Sequence, residues 1–388
     1  MVPSIVRKLK PRLVHVFFLI RSLNVGGAER QLVELSKRLD PNRFTITIGL
    51  FYDEGELRKE LYGAHNVKFL PLNKSGRWDF LRFVCHLRSC LRDLAPDIVY
   101  SFLPEANLVG LIAGRLARIP SIVWGVRASD MDIKQYHWLF GVSLRMCALL
   151  SSFPDLIVSN SFAGLKYHKN IGYNGRDMIV VHNGIDTAKF RPDRDLGKKV
   201  RLEWGIKDNE ILIGIVARLD PMKGHLIFLQ AVEVFLEKYF RVRFVCVGDG
   251  TESYKSKLHS FEDKLGLVGS VIWTGKRTDL PAVYNAIDIV TSSSVYGEGF
   301  SNVIGEAMAC GVPCVVTDVG DASDIVGDNG VVVPPKNSKA LAEGWLCMIE
   351  LSQNGNHLRS KEARSRILTE FGSEKLVRKT SKMLLSLL

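Results

Sequence analysis

The sequence predicts an α/β protein with two doubly wound domains that face a central cleft. At 388 residues the chain is too long for one ordinary hydrophobic core, so two domains are expected. Short apolar runs rich in β-branched residues alternate with helical segments through both halves of the chain. Such alternation is typical of parallel sheets covered on both faces. Each half is therefore predicted to contain one sheet, with a ligand cleft where the carboxyl ends of the two sheets meet.

The first half begins with a predicted strand at residues 13–20, a turn that contains Gly26 and Gly27, and a helix at 28–39. The other strands of this half are predicted at 45–51, 67–70, 97–102, 121–126, 155–159 and 178–181. The helices between them include 78–94, 106–117 and 133–150. Residues 1–190 are therefore predicted to form the first domain.

A polar segment separates the two halves. Residues 191–204 are predicted to be a linker, because proline, glycine and dense charge replace apolar residues there. Residues 205–372 form the predicted second domain, with strands at 211–217, 243–247, 271–274, 287–291, 313–317 and 331–333. The tail at 373–388 is an amphipathic helix and a candidate to pack back on the first domain.

The composition is that of a soluble globular protein with a net charge of +11, which favours an anionic partner such as a nucleotide or an acidic membrane surface. Nucleic acid is not expected, because no dense basic block and no basic–aromatic alternation occur. The seven cysteines lie mostly in apolar runs and indicate reduced core thiols. No stretch approaches the roughly 20 apolar residues of a membrane span. We expect a cytoplasmic protein, with peripheral contact to the cytoplasmic membrane face as an open alternative.

The most informative stretch, residues 296–306, has the pattern of a glycine-rich loop between a strand and a helix. A helix that opens near Ser301 points unpaired backbone N–H groups and a partial positive charge at the loop, which suits a phosphate. Glu306 lies one turn beyond Asn302, so both face the same side, where a carboxylate can accept hydrogen bonds from ribose hydroxyls. Glu298, on the loop before the helix, can accept hydrogen bonds from hydroxyls that lie farther from the helix. A capped helix with a solvated Glu306 is the alternative interpretation.

Two cations follow the first strand of the second half. Arg218 leaves the strand and Lys223 starts the next helix. Permanent positive charges at this end of a sheet suit a diphosphate, whose negative charge grows as it departs. A surface ion pair is the alternative. The strand order of a doubly wound sheet places this strand end beside the one that precedes Glu298, so the sequence predicts one shared pocket.

Other cofactor motifs are weak in this sequence. Gly248-Asp249-Gly250 and the Gly26-Gly27 turn match a dinucleotide fingerprint only loosely, which argues against a nicotinamide enzyme. Asp130 and Asp132 are candidate magnesium ligands, but acidic residues are common at helix starts, and this is the favoured explanation. There is no Walker lysine loop and no nucleophilic-serine elbow. Neither a cofactor nor a metal is therefore expected.

Arg218, Lys223 and residues 298–316 together resemble the retaining glycosyltransferases of family 4, which have the GT-B architecture of two Rossmann-like domains around a cleft. Residues 26–29 are similar to the opening turn of that family. Residues 181–186 are similar to its crossing between the domains. The resemblance covers the chain from about Leu13 to its end.

The resemblance implies a role for each matching residue. Arg218 and Lys223 would hold the diphosphate of a UDP-sugar or GDP-sugar. Glu306 would hold the ribose, and Glu298 would contact the transferred sugar. The remaining donor contacts would come from the first turn, from a lysine near the base, and from the loop and helix of the second domain. These residues are Gly26, Gly27, Lys276, Gly299, Phe300, Ser301, Asn302 and Val303.

The chain departs from the family pattern at two places. Many members carry a histidine on the cleft loop of the first domain, where this chain has Val126-Arg127-Ala128-Ser129. Arg127 is a candidate to steady the leaving phosphate or the sugar, and a buried strand-end arginine paired with Asp130 is the alternative. Asp321 and Asp324 replace the usual glycine and glutamate, which leaves their contribution open.

The predicted function is transfer of a hexose-type sugar from a nucleoside diphosphate to an acceptor hydroxyl, with retained configuration and without a metal. The acceptor is a glycan, a lipid-linked saccharide or another hydroxyl compound, in glycan, polysaccharide or glycolipid assembly. One rival is a sugar-nucleotide epimerase of the same fold. Another is a non-catalytic protein that binds anions or a membrane surface.

A basic stretch at residues 74–92 is a candidate contact with an anionic membrane. Its basic residues are Lys74, Arg77, Arg82, His86, Arg88 and Arg92, and the apolar residues between them are Trp78, Phe80, Phe83 and Leu87. An ordinary surface helix with its apolar side in the core is the alternative interpretation.

Overall fold

The structure, a computed structural model, describes residues 12–76, 79–131, 138–239, 241–353 and 357–388. In these ranges the chain forms two parallel sheets covered by helices, which confirms the predicted fold class. Arg77, Trp78 and residues 133–137, which belong to two predicted helices, lie outside the described ranges, and so does Asp132.

Seven parallel strands form the first sheet in the described part of the chain. They are Val14–Ile20 (β1), Phe44–Leu50 (β2), Val67–Pro71 (β3), Ile98–Phe102 (β4), Ser121–Val126 (β5), Leu156–Ser159 (β6) and Met178–Val180 (β7). Their order is β3-β2-β1-β4-β5-β6-β7, so the direction of winding reverses between β1 and β4. Ligand crevices form at such a switch point, beyond the carboxyl ends of the strands.

Six parallel strands form the second sheet in the ranges described. They are Ile211–Val216 (β8), Val242–Val247 (β9), Val271–Gly275 (β10), Ile289–Ser292 (β11), Cys314–Thr317 (β12) and Val331–Val333 (β13). Their order is β10-β9-β8-β11-β12-β13, which places the switch point between β8 and β11. The two strands that precede Arg218 and Glu298 are therefore direct neighbours, paired in parallel.

Helices connect the strands of both sheets. In the first half they are Gly27–Arg38 (α1), Phe80–Leu94 (α2), Pro104–Leu116 (α3), Trp138–Leu150 (α4) and Phe162–Asn170 (α5). Those that follow are Arg194–Glu203 (α6), His225–Leu236 (α7), Glu252–Lys264 (α8), Leu280–Ala286 (α9), Asn302–Ala309 (α10), Ala322–Val326 (α11), Ser338–Gln353 (α12), His357–Arg366 (α13) and Ser373–Leu385 (α14). None of the described helices has both the length and the apolar content needed to cross a bilayer.

Alternate residues of β1 point to opposite faces of the first sheet. Val16 and Phe18 are buried in a core that also contains side chains of α1 and α14. Phe17 and Leu19 are buried in a second core, with side chains of α2 and α3. The C-terminal helix therefore packs on the first sheet, and the Ser121 hydroxyl donates a hydrogen bond to the Leu387 carbonyl at 3.0 Å.

Residues 191–204 contain a helix where the sequence suggested a linker. Helix α6 begins after Asp193, whose carboxylate accepts a hydrogen bond from the Leu196 N–H at 3.1 Å. The buried Gly197 lies against the Asn285 carbonyl, where a larger side chain would clash. A charged outer face and a glycine at the contact make this packed helix resemble a linker in sequence. The limits of the two domains stay a prediction.

The basic stretch at residues 74–92 is, in its described part, a surface helix packed on the sheet. The apolar side of α2 is buried, and it consists of Phe83, Val84, Leu87 and Leu91. Side chains that fill a core cannot also insert into a bilayer. The buried side of α2 agrees with the alternative interpretation, an ordinary surface helix, whereas Phe80 and Leu81 are exposed, and contact of this stretch with a membrane stays a prediction.

Asp321 joins the two halves of the chain. Its carboxylate accepts hydrogen bonds from the backbone N–H groups of Phe162 at 2.7 Å and Ala163 at 2.8 Å, which open α5. The Nε2 atom of His182 lies 3.2 Å from the same carboxylate. Because the first N–H groups of a helix have no partner inside it, this buried acid caps a helix of the first half from the second half.

We expect Asp321→Ala to destabilise the protein by about 1–3 kcal/mol, because the variant leaves buried N–H groups without their acceptor. Asp324→Ala is the matched control, since Asp324 is an exposed carboxylate three residues further on. Urea unfolding followed by circular dichroism measures the free energy of unfolding of both variants. Equal losses in the two variants would contradict the capping role.

Candidate active site

A tight loop connects β11 to α10 and carries Glu298. Gly297 has a φ of 81°, a left-handed conformation that favours glycine, and the Met222 sulfur occupies the space that its Cβ would need. Helix α10 begins at Asn302, directly after the buried Ser301. Its first N–H groups and its partial positive charge therefore face the loop, as the sequence predicted.

Lys223 and Glu298 form an ion pair at the mouth of α10. The Lys223 ammonium donates a hydrogen bond to Glu298 Oε1, and the Ser294 hydroxyl donates to the same oxygen at 3.0 Å. The Glu298 side chain is almost fully buried, whereas its backbone carbonyl accepts a hydrogen bond from Ser129 of the first half. Lys223, Ser294 and Ser301 also line one small cavity of about 10 Å³, near the room of a single water molecule.

Glu306 faces the first turn of α1 across the cleft. The Tyr284 hydroxyl donates a hydrogen bond to Glu306 Oε2 at 2.7 Å, and Arg30 Nη1 lies 3.5 Å from Oε1. Burial raises the pKa of Glu306, and the nearby Arg30 opposes that shift. Gly27 and Asn302 precede Arg30 and Glu306 by about one helical turn. A Cβ atom on Gly27 would lie 3.7 Å from the side-chain amide nitrogen of Asn302. The predicted residues Gly27, Asn302 and Glu306 are thus close together.

Arg218 lies at the exposed end of β8 and points toward the same turn. Its guanidinium pairs with Asp220 at 2.9 Å. Burial raises the pKa of Glu29, and the positive charge of Arg218 opposes this shift from across the cleft. The Glu29 carboxylate folds back over the Cα of Gly26. Arg218 and Gly26 therefore lie on facing walls, and the Arg218 side chain is open to solvent.

Lys276 lies farther out on the wall of the second half. Its ammonium is 3.0 Å from Glu56 Oε2 of the first half, and both side chains are about half exposed or more. An exposed pair of this kind contributes little to stability, so Lys276 is available to a ligand. Its expected role near the nucleotide base stays a prediction.

Arg127 is held inside the junction of the two halves. It donates a hydrogen bond to the Asn183 side-chain oxygen at 3.1 Å and stacks on the Phe102 ring at 4.7 Å. Asn183 in turn donates to the Asn302 side chain at 2.8 Å. Burial lowers the pKa of Arg127, and its Nε is buried without a partner. In the described residues no ion pair joins Arg127 to Asp130, so that pairing is wrong.

The rest of the loop reaches the cleft mainly through its backbone. Gly299 is pressed against Asn160 and Ser161 of the first half, where a Cβ would clash. The buried Phe300 ring packs on His182 and a further aromatic ring at the crossing between the halves. Val303 is partly buried against the hydrophobic core of the second half and lines the small cavity. The Phe300 side chain thus points away from the predicted donor site.

Sequence reasoning did not identify the residues that orient the two glutamates. These residues are Arg30, Ser129, Tyr284 and Ser294. Arg30 lies one helical turn beyond Gly27, a spacing that offers a signal once α1 is known to face α10. Serine and tyrosine in buried strands or helices carry no signal of their own. Only the folded chain shows what they contact.

The site combines fixed positive charge with two carboxylates. Lys223, Arg218 and the start of α10 can bind a diphosphate, and Glu298 and Glu306 can accept hydrogen bonds from hydroxyls on either side of it. Among the described residues no group of three or more histidine, cysteine or acidic side chains is arranged to hold a metal ion.

Comparison with protein families matches both halves of the chain. A family model described as "Glycosyltransferase Family 4" matches residues 25–189, and one described as "Glycosyl transferases group 1" matches residues 210–350. Together these two segments contain the cleft residues of both sheets.

Two curated relatives match over most of their length. The UDP-Gal:alpha-D-GlcNAc-diphosphoundecaprenol alpha-1,3-galactosyltransferase of Escherichia coli is 25% identical over 311 residues, which are 76% of this chain and 77% of the relative. The N-acetylgalactosamine-N,N'-diacetylbacillosaminyl-diphospho-undecaprenol 4-alpha-N-acetylgalactosaminyltransferase of Campylobacter jejuni is 27% identical over 344 residues, which are 85% of this chain and 89% of the relative.

A similar solved structure is that of Anabaena Alr3699/HepE in complex with UDP and glucose. It has a TM-score of 0.84 and 27% sequence identity, and the match covers 96% of this chain and 100% of that chain. HepE is also solved in complex with UDP-glucose, with a TM-score of 0.83. The chain therefore belongs to glycosyltransferase family 4, has the GT-B fold and is a glycosyltransferase of polysaccharide or glycolipid biosynthesis.

Proposed function

We propose that the protein is a retaining hexosyltransferase that moves a sugar from a UDP-sugar to a hydroxyl of a lipid-linked saccharide. The observation that carries the proposal is the Lys223–Glu298 pair at the mouth of α10, opposite the first turn of α1. The UDP and UDP-glucose complexes of HepE support a uridine donor. The diphosphoundecaprenol-linked substrates in the names of two relatives support a lipid-linked acceptor.

The second half binds the donor in this proposal. Lys223, Arg218 and the N–H groups that open α10 bind the diphosphate, and Glu306 accepts hydrogen bonds from the ribose hydroxyls. Glu298 accepts hydrogen bonds from the transferred sugar. Because Lys223 and Ser294 already hold the Glu298 carboxylate, that acceptor is oriented before the donor arrives.

The bond between the sugar C1 and the diphosphate oxygen breaks while the acceptor oxygen bonds to C1 on the same face. The negative charge then grows on the departing diphosphate, where Lys223, Arg218 and the α10 dipole stabilise it. On that face the departing phosphate oxygen is a base close to the acceptor hydroxyl, so it takes the proton. Fixed cations supply the charge stabilisation, and the proposal requires no metal.

Arg127 has a supporting position in this scheme. Its hydrogen bond to Asn183, and the hydrogen bond from Asn183 to Asn302, connect the first half to the opening residue of α10. A positive charge buried behind this connection also adds to the potential at the diphosphate. Arg127 therefore replaces, by charge and by positioning, a group that many family members supply from a histidine.

We expect Lys223→Ala and Glu298→Gln to lower the rate of sugar transfer by about 100-fold or more, because each removes a group that acts on the departing diphosphate or the sugar. Transfer from a UDP-sugar to an undecaprenyl-diphosphate-linked saccharide measures the rate. Lys198→Ala, on the solvent side of α6, is the control and keeps full activity. Circular dichroism checks that each variant is folded.

Unchanged turnover in the Lys223→Ala and Glu298→Gln variants would reject this assignment of the site. A donor incubated alone gives a second check on the reaction class. An isomerised sugar in that incubation would identify a sugar-nucleotide epimerase instead. Absence of any UDP binding would favour a non-catalytic protein.

The raised pKa of Glu306 predicts that UDP binding weakens in mild acid. Only the ionised carboxylate accepts hydrogen bonds from both ribose hydroxyls, so affinity falls by up to about tenfold per pH unit below the pKa. Because burial raises the Glu306 pKa, the fall begins at a higher pH than for an ordinary glutamate. Arg30→Met removes the charge that opposes this shift, so the fall begins at a higher pH still.

Calorimetric titration with UDP between pH 8 and pH 5 measures this dependence, with about 0.5 pH unit between points, fine enough to detect a shift of one unit. Glu306→Gln is the control, because an amide does not titrate and its pH profile is flatter. Identical profiles for the wild type and Glu306→Gln would show that Glu306 does not govern ribose binding.

A further inference from the structure

Helix α4 has an apolar outer face. Its described exposed positions are Trp138, Val142, Arg145, Met146 and Leu149, so Arg145 is the one charged side chain among them. Leu149 is 72% exposed. The helix contains no acidic residue. An outer face of this kind differs from the charged faces that ordinary surface helices present to water.

The inner side of α4 is apolar as well. Leu144 and Cys147 are buried in a core with Trp124 and Ile157 of the first sheet. A helix that is apolar all round is normally buried on every side. Since the inner side of α4 already packs on the sheet, its open outer side indicates a further contact surface.

The apolar surface continues beyond the end of α4. Phe153 is 57% exposed just after the helix, and Leu116 is 55% exposed at the end of the neighbouring α3. Arg115 connects the two ends, because its guanidinium donates a hydrogen bond to the Phe153 carbonyl at 2.6 Å. We call Val142, Met146, Leu149, Phe153 and Leu116 the α4 patch.

Positive charge surrounds the α4 patch. Its neighbours Arg88, Arg118 and Arg145 are exposed, and the Arg88 side chain donates a hydrogen bond to the Leu116 carbonyl at 3.4 Å. The nearby carboxylate of Asp155 is neutralised by Arg115 at 3.0 Å. The apolar side chains of the patch can insert into a bilayer, and the arginines beside them complement an anionic lipid surface. The acidic side chain nearby does not oppose this, because it is already paired with an arginine.

The α4 patch extends from the cleft side of the first half. Helix α4 follows the carboxyl end of β5, and the loop between them carries Ser129, which donates a hydrogen bond to the Glu298 carbonyl. The amino-terminal end of α4 is thus on the side of the donor site, and Phe153 is at the opposite end of the sheet. A bilayer against this face would lie beside the cleft.

We propose that the α4 patch docks the protein on an anionic lipid bilayer. The choice of a bilayer rests on the lipid-linked acceptor of the proposed function and on the arginines around the patch. Insertion of Leu149 and Phe153 anchors the first half, and Arg145 and Arg118 bind lipid phosphates. The saccharide of a membrane-embedded acceptor then reaches the cleft without leaving its lipid.

Leu149→Glu tests this proposal against Leu202→Glu, a matched control on α6 whose leucine is 78% exposed in the second half. Sedimentation with phosphatidylcholine vesicles, with and without phosphatidylglycerol, measures binding at low salt. We expect the wild type and Leu202→Glu to bind the anionic vesicles equally, and Leu149→Glu to bind about tenfold or more weakly. Arg145→Glu is expected to lose the preference for phosphatidylglycerol.

Equal vesicle binding by Leu149→Glu and Leu202→Glu would overturn the proposal, and so would a wild type that binds neither vesicle. Sedimentation velocity tests a second copy as the occupant: a dimer that Leu149→Glu dissociates would also overturn it. UDP titration of the same preparations separates this proposal from the proposed function. A protein that binds UDP but not vesicles contradicts the docking surface alone. A protein that binds vesicles but not UDP contradicts the donor assignment alone.

Discussion

The ion pair between Lys223 and Glu298 is the interaction on which the site depends. Glu298 is almost fully buried, and a buried carboxylate without a partner is expensive, so Lys223 and the Ser294 hydroxyl hold it in one place. Breaking a buried pair by removing one partner costs about 3–5 kcal/mol in other proteins. The pair also connects the adjacent strands β8 and β11, so it sets the position of the cation relative to the start of α10.

Contacts across the cleft are formed by groups that would otherwise be left unsatisfied. Asp321 accepts hydrogen bonds from the opening N–H groups of α5, and Ser129 donates to the carbonyl of Glu298. Asn183 joins Arg127 to Asn302. These contacts bring polar groups of one half to the first turns of helices in the other. The proposed donor residues of the second half therefore lie against the first half, where helix ends find partners.

Glu306 is held by contacts from both halves of the chain. Burial disfavours its ionised form, whereas Arg30 and the Tyr284 hydroxyl favour it. Arg30 belongs to α1, so the charge state of Glu306 depends on the approach of the two halves. A carboxylate balanced in this way responds to pH and to whatever occupies the space between α1 and α10.

The positions of the elements and the main site follow from the sequence because they depend on local patterns. Apolar runs with period 2 and 3.6 predict the strands and helices, and glycines with a following helix predict the loop at Glu298. The placement of Arg218 and Lys223 at the same edge of the sheet as Glu298 follows from strand order. The surroundings of Arg127 and Asp321 do not, because their partners lie more than fifty residues away in the chain. Helix α6 was not predicted, because its glycine and its surface charge are typical of a linker.

The sequence by itself determined the two doubly wound halves, the helix that opens after Ser301, and the residue types that suit a sugar nucleotide. Only the tertiary structure decided that Arg30 faces Glu306, that Asp321 caps α5, and that the outer face of α4 leaves apolar side chains open to solvent. The physical reason is that periodicity shows that a face is apolar, whereas burial depends on which other elements cover it.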